Sequence, residues 1–361
     1  MRTFRVAFTG DFLNEQGTSA YGDLNLGPLE KAQHVQFHFL TEQAPQVGDA
    51  AYWSRFYSLE VTSAQIGDVD GLVVLRPWIK RPTIAAGAER LVVIGRSGAG
   101  YDKIDVNACT QHDVALFNAP LALNHSTGSS ALLFMLALAK KLPQQQRVTR
   151  EGRWDLQATV MGSEIQGRTL GIVGLGHSGR ELARLAAPFE MRVLAHSPHA
   201  DPDQAAALGV QLTSIEELFR ESDFVSLHAR LNPDNHRLVG REQLALMKPT
   251  AFFINVARGE LVDQPALVDA LRARAIAGAA LDVYEREPLE VDDPLLELEG
   301  VILTPHWSAS TTDVFAATSR AMVEGMLRAA RGEVPEKVVN PEVCCRAGFQ
   351  AKLARFVENR S

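Results

Sequence analysis

The segment Thr169-Leu170-Gly171-Ile172-Val173-Gly174-Leu175-Gly176-His177-Ser178-Gly179-Arg180-Glu181-Leu182-Ala183 places three glycines at the G-x-G-x-x-G spacing, between an apolar run and a helical pattern. Taken alone, that spacing also suits an ordinary strand-to-helix turn. The strand before it and the helix after it give it chemical meaning. Gly174 permits a tight turn, Gly176 lets a pyrophosphate approach the backbone, and Gly179 lets the helix pack on the strand. N–H groups at the helix start then face the phosphates of a dinucleotide. An acidic residue is expected about 20 positions on, holding the adenosine ribose. Here Ser197 occupies that place, 18 residues past Gly179, in Val193-Leu194-Ala195-His196-Ser197-Pro198-His199. A carboxylate there would repel the 2′-phosphate of NADP, and serine removes the repulsion. Only His196 and His199 stand near to pair a phosphate, so NAD and NADP both remain open.

Outward from this loop, short β-branched runs alternate with helical patterns. Phe4–Phe8, Val35–Leu40, Gly71–Leu75, Leu91–Ile94 and Ala115–Phe117 read as one series of buried strands, with Pro82–Glu89 a helix among them. Thr169–Val173, Arg192–Ala195, Phe224–Leu227, Ala251–Asn255, Ala279–Val283 and Val301–Thr304 form a second series, with helices at Gly179–Ala187, Gln243–Met247 and Gln264–Ala273. Strands alternating with helices imply parallel pairing through right-handed crossovers. The expectation is an α/β chain of two Rossmann-like or flavodoxin-like, doubly wound parallel-sheet domains with a cleft between them. Ser126–Leu142 reads as a long apolar helix joining them, with Ser126, Thr127 and Ser129 as caps. The amphipathic helix Asp313–Arg331 is expected to return to the first domain. That gives a discontinuous substrate domain, 1–125 plus 306–361, and a dinucleotide-binding domain, 126–305.

Composition narrows the class. With 361 residues, 46% apolar and 22% charged, the chain fits a folded protein of two or three domains. Its net charge of −7 argues against a general nucleic-acid or anionic-membrane binder. Cys109, Cys344 and Cys345 are too few for a disulfide framework and lack the C-x-x-C spacing of a structural zinc site, so no metal is expected. The longest apolar run, Ala131 to Ala139, spans nine residues where a membrane helix needs about 20. With no targeting segment visible at the amino terminus, a cytoplasmic protein is expected.

Three segments fall at the carboxyl ends of successive strands, where a doubly wound sheet places its ligands. They are Asn255-Val256-Ala257-Arg258-Gly259-Glu260-Leu261-Val262-Asp263, Asp282-Val283-Tyr284-Glu285-Arg286-Glu287-Pro288 and Thr304-Pro305-His306. With the glycine loop and Gly98-Ala99-Gly100-Tyr101-Asp102, they resemble the D-isomer-specific 2-hydroxyacid dehydrogenase family in type and order, including its glyoxylate/hydroxypyruvate reductases and short phosphoglycerate dehydrogenase-like members. The resemblance implies that His306 is the catalytic acid/base, Glu287 the carboxylate orienting it, and Arg258 the residue binding the substrate's carboxylate and carbonyl. Those types suit the chemistry. A hydride arriving at a 2-keto carbon leaves an alkoxide, which an imidazole with a reference pKa near ~6.5 can protonate. Arginine offers a planar fork that stays charged while negative charge develops. Singly, each of the three would more often be a loop charge or a structural side chain. Their joint position behind a phosphate loop reverses the odds.

The same resemblance implies that Asp282 lies near the nicotinamide amide and that the backbone of Val256 and Ala257 lines its site. It sets His177 and Ser178 at the pyrophosphate turn, and Gly98, Ala99 and Gly100 at a turn gripping the substrate carboxylate. Arg76 falls where relatives present a substrate-contacting arginine, a surface charge at a helix start being an equal alternative. Three departures stand out: Ser197, Arg230 where relatives have proline after His228-x, and Ser129-Ser130 where many have Ala-Glu. Tyr52, Trp53, Phe56 and Trp78 read as aromatic core or interface. The expected function is NAD(P)-dependent interconversion of a D-2-hydroxy acid and its 2-keto acid by a homodimer. A dinucleotide-sensing, co-repressor-like binding protein is the alternative from another class. A phosphoglycerate or phosphite dehydrogenase is the alternative on the same scaffold. With 28 residues after Glu333, a regulatory domain like that of the long phosphoglycerate enzymes is not expected. Adjacent Cys344 and Cys345 suggest no chemistry.

Overall fold

The computed structural model describes residues 2–360. The chain divides into two compact units, residues 1–123 with 311–361, and residues 124–310. Each holds a parallel sheet with helices on its faces.

In the first unit, β1 (Phe4–Thr9), β2 (Val35–Leu40), β3 (Gly71–Val74), β4 (Val93–Arg96) and β5 (Ala115–Asn118) lie in the order β2-β1-β3-β4-β5. The helix Thr312–Ala330 packs on this sheet through Met322, Met326 and Ala329, beside Phe4 and Phe117. Glycines make the close approach possible. A Cβ on Gly325 would come within 2.3 Å of the Phe117 ring, and one on Gly71 within 2.6 Å of the Met326 sulfur. The carboxyl-terminal helix Ala347–Ala354 is pinned by Lys352, whose ammonium donates to the carbonyls of Ala88 (2.7 Å), Leu91 (2.9 Å) and His112 (2.8 Å).

The second unit has seven strands: β6 (Thr169–Val173), β7 (Arg192–His196), β8 (Val210–Leu212), β9 (Phe224–Leu227), β10 (Phe252–Asn255), β11 (Gly278–Leu281) and β12 (Val301–Leu303). Their order is β12-β11-β10-β9-β6-β7-β8, all parallel. Chain order reverses between β6 and β9, and the crevice beyond such a reversal is where open sheets bind ligands. Near-continuous apolar strands are what burial on both faces demands.

Four details correct the sequence reading. The three-residue edge strand β8 was not expected, because Val-Gln-Leu is too short to show a period. The run around Leu91 becomes a strand only at Val93, since Val93 pairs with Gly71 in register. The joining helix runs Asn124–Ala139 and stops before Lys141, whose φ of +52° breaks it ahead of a second helix, Leu142–Arg150. Ser126, Thr127 and Ser129 therefore lie inside the helix and do not cap it. The buried hydroxyls of Ser126 and Ser130 instead donate to the Ser308 carbonyl, both at 2.9 Å.

Candidate active site

In the second unit the glycine loop follows β6 and opens the helix His177–Ala186. Gly174 has φ = +98°, and a Cβ there would lie 2.5 Å from the Ala229 nitrogen. A Cβ on Gly179 would lie 2.2 Å from the Gly174 carbonyl oxygen, so only glycine lets helix and turn meet. Gly176 differs: a Cβ there would meet nothing within 4 Å, and no side chain caps the helix that starts after it. The loop thus holds open space over bare helix N–H groups, the environment that fits the pyrophosphate of a dinucleotide. His177 is exposed and Ser178 half-buried at this start. At the end of β7, Ser197 is half-buried, and the neighbouring His196 contacts the Thr213 carbonyl through Nδ1 at 3.2 Å.

Beyond β10, the Asn255 side chain folds the next turn. Its Oδ1 accepts from the Ala257 N–H (3.0 Å) and its Nδ2 donates to the Arg258 carbonyl (2.9 Å). Val256 is buried and Ala257 half-buried in this turn. Arg258 Nη1 donates to the Ala257 carbonyl at 2.7 Å. Gly259 presses against the exit of β11, where a Cβ would collide with the Tyr284 backbone.

His306 follows β12 and meets Glu287, Nδ1 to Oε2 at 2.9 Å. Glu287 is held in turn through Oε1, which accepts from the Tyr284 N–H at 3.3 Å. The His306 side chain is 37% exposed against 16% for Glu287, so the imidazole faces solvent while its partner is sheltered. Nδ1 is the ring nitrogen that meets the carboxylate.

Asp282 takes a role that the sequence did not suggest. Its side chain is buried and accepts four hydrogen bonds: Thr304 Oγ1 (2.6 Å) and Trp307 N (2.6 Å) on Oδ1, Ser308 N (2.9 Å) and Ser308 Oγ (2.5 Å) on Oδ2. Its carbonyl accepts from the His306 N–H at 2.8 Å. A carboxylate has about four lone-pair positions, and these bonds use them all. In this structure Asp282 shapes the loop carrying His306.

The first unit gathers its own polar groups beyond β3 and β4. Arg76 lies between the rings of Phe56 (4.7 Å to the centroid) and Tyr21 (5.1 Å), and its Nη1 donates to Tyr21 Oη at 2.9 Å. Behind it, buried Asp11 accepts from the Arg76 backbone N–H (3.0 Å) and from Thr9 Oγ1 (2.6 Å). Burial pushes the Asp11 carboxyl up, against the pull of Arg76. Gly98 has φ = +142°, with Arg96 folded against it so closely that a Cβ would lie 2.4 Å from Nη1. Asn118 Nδ2 donates to the Ala99 carbonyl at 2.7 Å, and the Ala119 N–H to the Gly98 carbonyl at 3.1 Å, which fixes the turn through Gly100. Ser97 Oγ is buried there and has no hydrogen-bond partner among the described residues. Of the aromatic group, Tyr52 and Phe56 are buried, Trp78 half-buried and Trp53 exposed.

Sequence reasoning missed Asp11, Tyr21 and His228. Asp11 gave a faint signal, a carboxylate directly past an apolar strand. His228 is buried and spans two hydroxyls, Nε2 to Ser226 Oγ at 3.0 Å and Nδ1 to Ser178 Oγ at 3.1 Å. Burial pushes its pKa down to about 3, so it is neutral at physiological pH. Among the described residues, no group of three or more His, Cys, Asp or Glu is placed to hold a metal ion, and no helix is long and apolar enough to cross a membrane.

A parallel sheet with a glycine loop after β6 and a His–Glu pair after β12, at its far edge, is the arrangement of a dinucleotide-dependent oxidoreductase. Known proteins agree. The family model for the D-isomer specific 2-hydroxyacid dehydrogenase, NAD binding domain, matches residues 132–308. A glyoxylate reductase of Korarchaeum cryptofilum is 38% identical over 84% of this chain and 96% of its own. A D-3-phosphoglycerate dehydrogenase of Methanocaldococcus jannaschii is 40% identical over 76% of this chain, which spans only 52% of that longer protein. Among solved structures, the NADPH-dependent glyoxylate/hydroxypyruvate reductase of Sinorhizobium meliloti, in complex with NADP and malonate, superposes with a TM-score of 0.75 at 26% identity, covering 93% of this chain and 96% of that one. The chain belongs to the D-isomer-specific 2-hydroxyacid dehydrogenase family. Its activity is therefore NAD(P)-dependent oxidoreduction of 2-hydroxy acids.

Proposed function

We propose that this chain interconverts a small 2-keto acid and its D-2-hydroxy acid, with His306 as the acid/base, Glu287 orienting it and Arg258 holding the substrate's carboxylate and carbonyl. The observation that carries the reading is the 2.9 Å contact between His306 Nδ1 and Glu287 Oε2, beside a sheet whose β6 ends in the dinucleotide loop. A bound nicotinamide supplies or accepts the hydride. In the reductive direction the carbonyl oxygen gains negative charge as C2 becomes tetrahedral, and His306 Nε2 gives it a proton. Glu287 stabilises the imidazolium before that transfer and keeps Nδ1 protonated after it. In the oxidative direction the neutral imidazole takes the hydroxyl proton back. The Arg258 guanidinium orients the 2-keto acid and screens the developing charge.

Two finer assignments belong to the same proposal. NADPH serves as well as NADH, because Ser197 presents a hydroxyl and no carboxylate where the adenosine ribose is expected. Gly98, Ala99, Gly100 and Arg76 are further substrate contacts, on the strength of the fixed turn and of the guanidinium held between two rings. Arg76 and Arg96, at the ends of adjacent strands, favour a second reading in which the substrate carries a phosphate or second carboxylate on C3. We extend the proposal to a homodimer through the second unit, whose Leu142, Trp154 and Met161 are exposed. Light scattering that returns the mass of one chain would remove that extension.

The test is NADH and NADPH oxidation at 340 nm with glyoxylate, hydroxypyruvate, 3-phosphohydroxypyruvate, pyruvate and phenylpyruvate. Turnover that falls by about 10²-fold or more in His306→Ala and Arg258→Ala supports the assignment. Tight dinucleotide binding without turnover on any keto acid would move the reading to a dinucleotide sensor.

A further inference from the structure

His228 joins the core of the sheet to the dinucleotide loop. Ser226 lies in β9 and is fully buried, Ser178 lies in the first turn of the glycine-loop helix, and the imidazole bridges them. The neutral ring has one N–H and one bare nitrogen, so the chain of three groups can run in only two directions. In one, Ser178 donates to Nδ1, the Nε2–H donates to Ser226 Oγ, and the Ser226 proton must find another acceptor. Among the described residues the Ser226 hydroxyl has no other partner than Nε2, so that direction strands a buried hydroxyl proton. In the other, Ser226 donates to Nε2, the Nδ1–H donates to Ser178 Oγ, and every buried donor is satisfied. The Ser178 proton is then left uncommitted at the helix start, beside Gly176, where a Cβ would meet only open space.

We infer that Ser226 and His228 form a hydroxyl relay that fixes Ser178 as a hydrogen-bond donor to the dinucleotide pyrophosphate. Backbone N–H groups do this work in a glycine loop by default. Here a side chain adds one more charge-assisted donor, pre-oriented by a relay reaching back to β9. His228 acts through Ser178 and is a positioning residue, and the inference rests on the dinucleotide reading of the loop.

The experiment uses the full chain, with ADP-ribose and NADH binding followed by calorimetry, and long-range ¹H–¹⁵N correlation of histidine-labelled protein. The sequence has ten histidines, and the signal missing from His228→Asn identifies the ring. The relay predicts that His228 carries its proton on Nδ1, that Ser178→Ala binds ADP-ribose roughly tenfold more weakly, and that Ser178→Thr restores most of the loss. An Nε2–H tautomer, or Ser178→Ala binding as tightly as the native chain, overturns the relay while leaving the dinucleotide reading intact. Native protein that binds neither ligand overturns both.

Discussion

His306 sits at φ = +53°, a left-handed conformation that side chains other than glycine adopt at a cost of about 1 kcal/mol. The surrounding bonds over-determine it. Asp282 grips the backbone on both sides, through its carbonyl before the histidine and its carboxylate after it. Asp282→Asn turns one acceptor into a donor facing N–H or O–H groups, leaving them unsatisfied in a buried place. Calorimetric unfolding of this variant should show a loss of about 2–4 kcal/mol, and its kcat should fall with that of the loop it shapes. A variant of native stability and kcat would remove Asp282 from this role. Ser197→Asp tests the cofactor assignment: NADPH kcat/KM should drop more than tenfold while NADH is little affected, by repulsion of the 2′-phosphate. At this scale the sequence pointed to the two side chains that the fold brings to 2.9 Å, Glu287 and His306. It gave no sign of the hydrogen-bond networks at Asp282 and His228, which depend on which hydroxyls and N–H groups the fold turns towards them.

In two elements the replacement of a single residue has a calculable direction. The Lys352 ammonium has three donors and three carbonyls accept them, so Lys352→Met leaves those carbonyls with an apolar neighbour. Loss of about 2–4 kcal/mol is expected in denaturant titration, and a value within 0.5 kcal/mol of native would mean that water replaces the ammonium. Gly325→Ala pushes the Thr312–Ala330 helix off Phe117, at a cost of about 1–3 kcal/mol readable in the same titration. Strands with strong apolar runs were legible in the sequence. The edge strand β8 was not, being short, and neither was the helix break at Lys141, where a residue without glycine's freedom takes φ = +52°. Periodicity reports burial, and the break falls in the exposed run Lys140-Lys141-Leu142-Pro143, where no buried position marks the end of one helix and the start of the next.

For the molecule as a whole, the buried imidazole of His228 sets a limit on acid stability. The unfolded chain takes up a proton at this residue near pH ~6.5, whereas the folded chain refuses it down to about pH 3. Protons bound to the unfolded state draw the equilibrium that way, so the contribution is fully present above pH ~6.5 and is lost as pH falls towards 3. The slope approaches ~1.4 kcal/mol per pH unit in that window. His228→Asn should flatten the profile by that amount, and an unchanged slope would place the acid sensitivity elsewhere. Two parallel sheets, the strand-end placement of the functional groups and the family were all legible from the glycine loop outward. The surroundings of Arg76 were not, because they come from segments far apart in sequence: Asp11, Tyr21 and Phe56.

The most direct measurement is the pre-steady-state reduction of glyoxylate or 3-phosphohydroxypyruvate by NADH and NADPH, followed at 340 nm in the native chain and in His306→Gln, with ADP-ribose affinity measured on both. A native transient that slows by at least about 10²-fold in His306→Gln, while ADP-ribose affinity is unchanged, is the predicted result. A transient of native rate in His306→Gln would contradict the acid/base assignment at its centre.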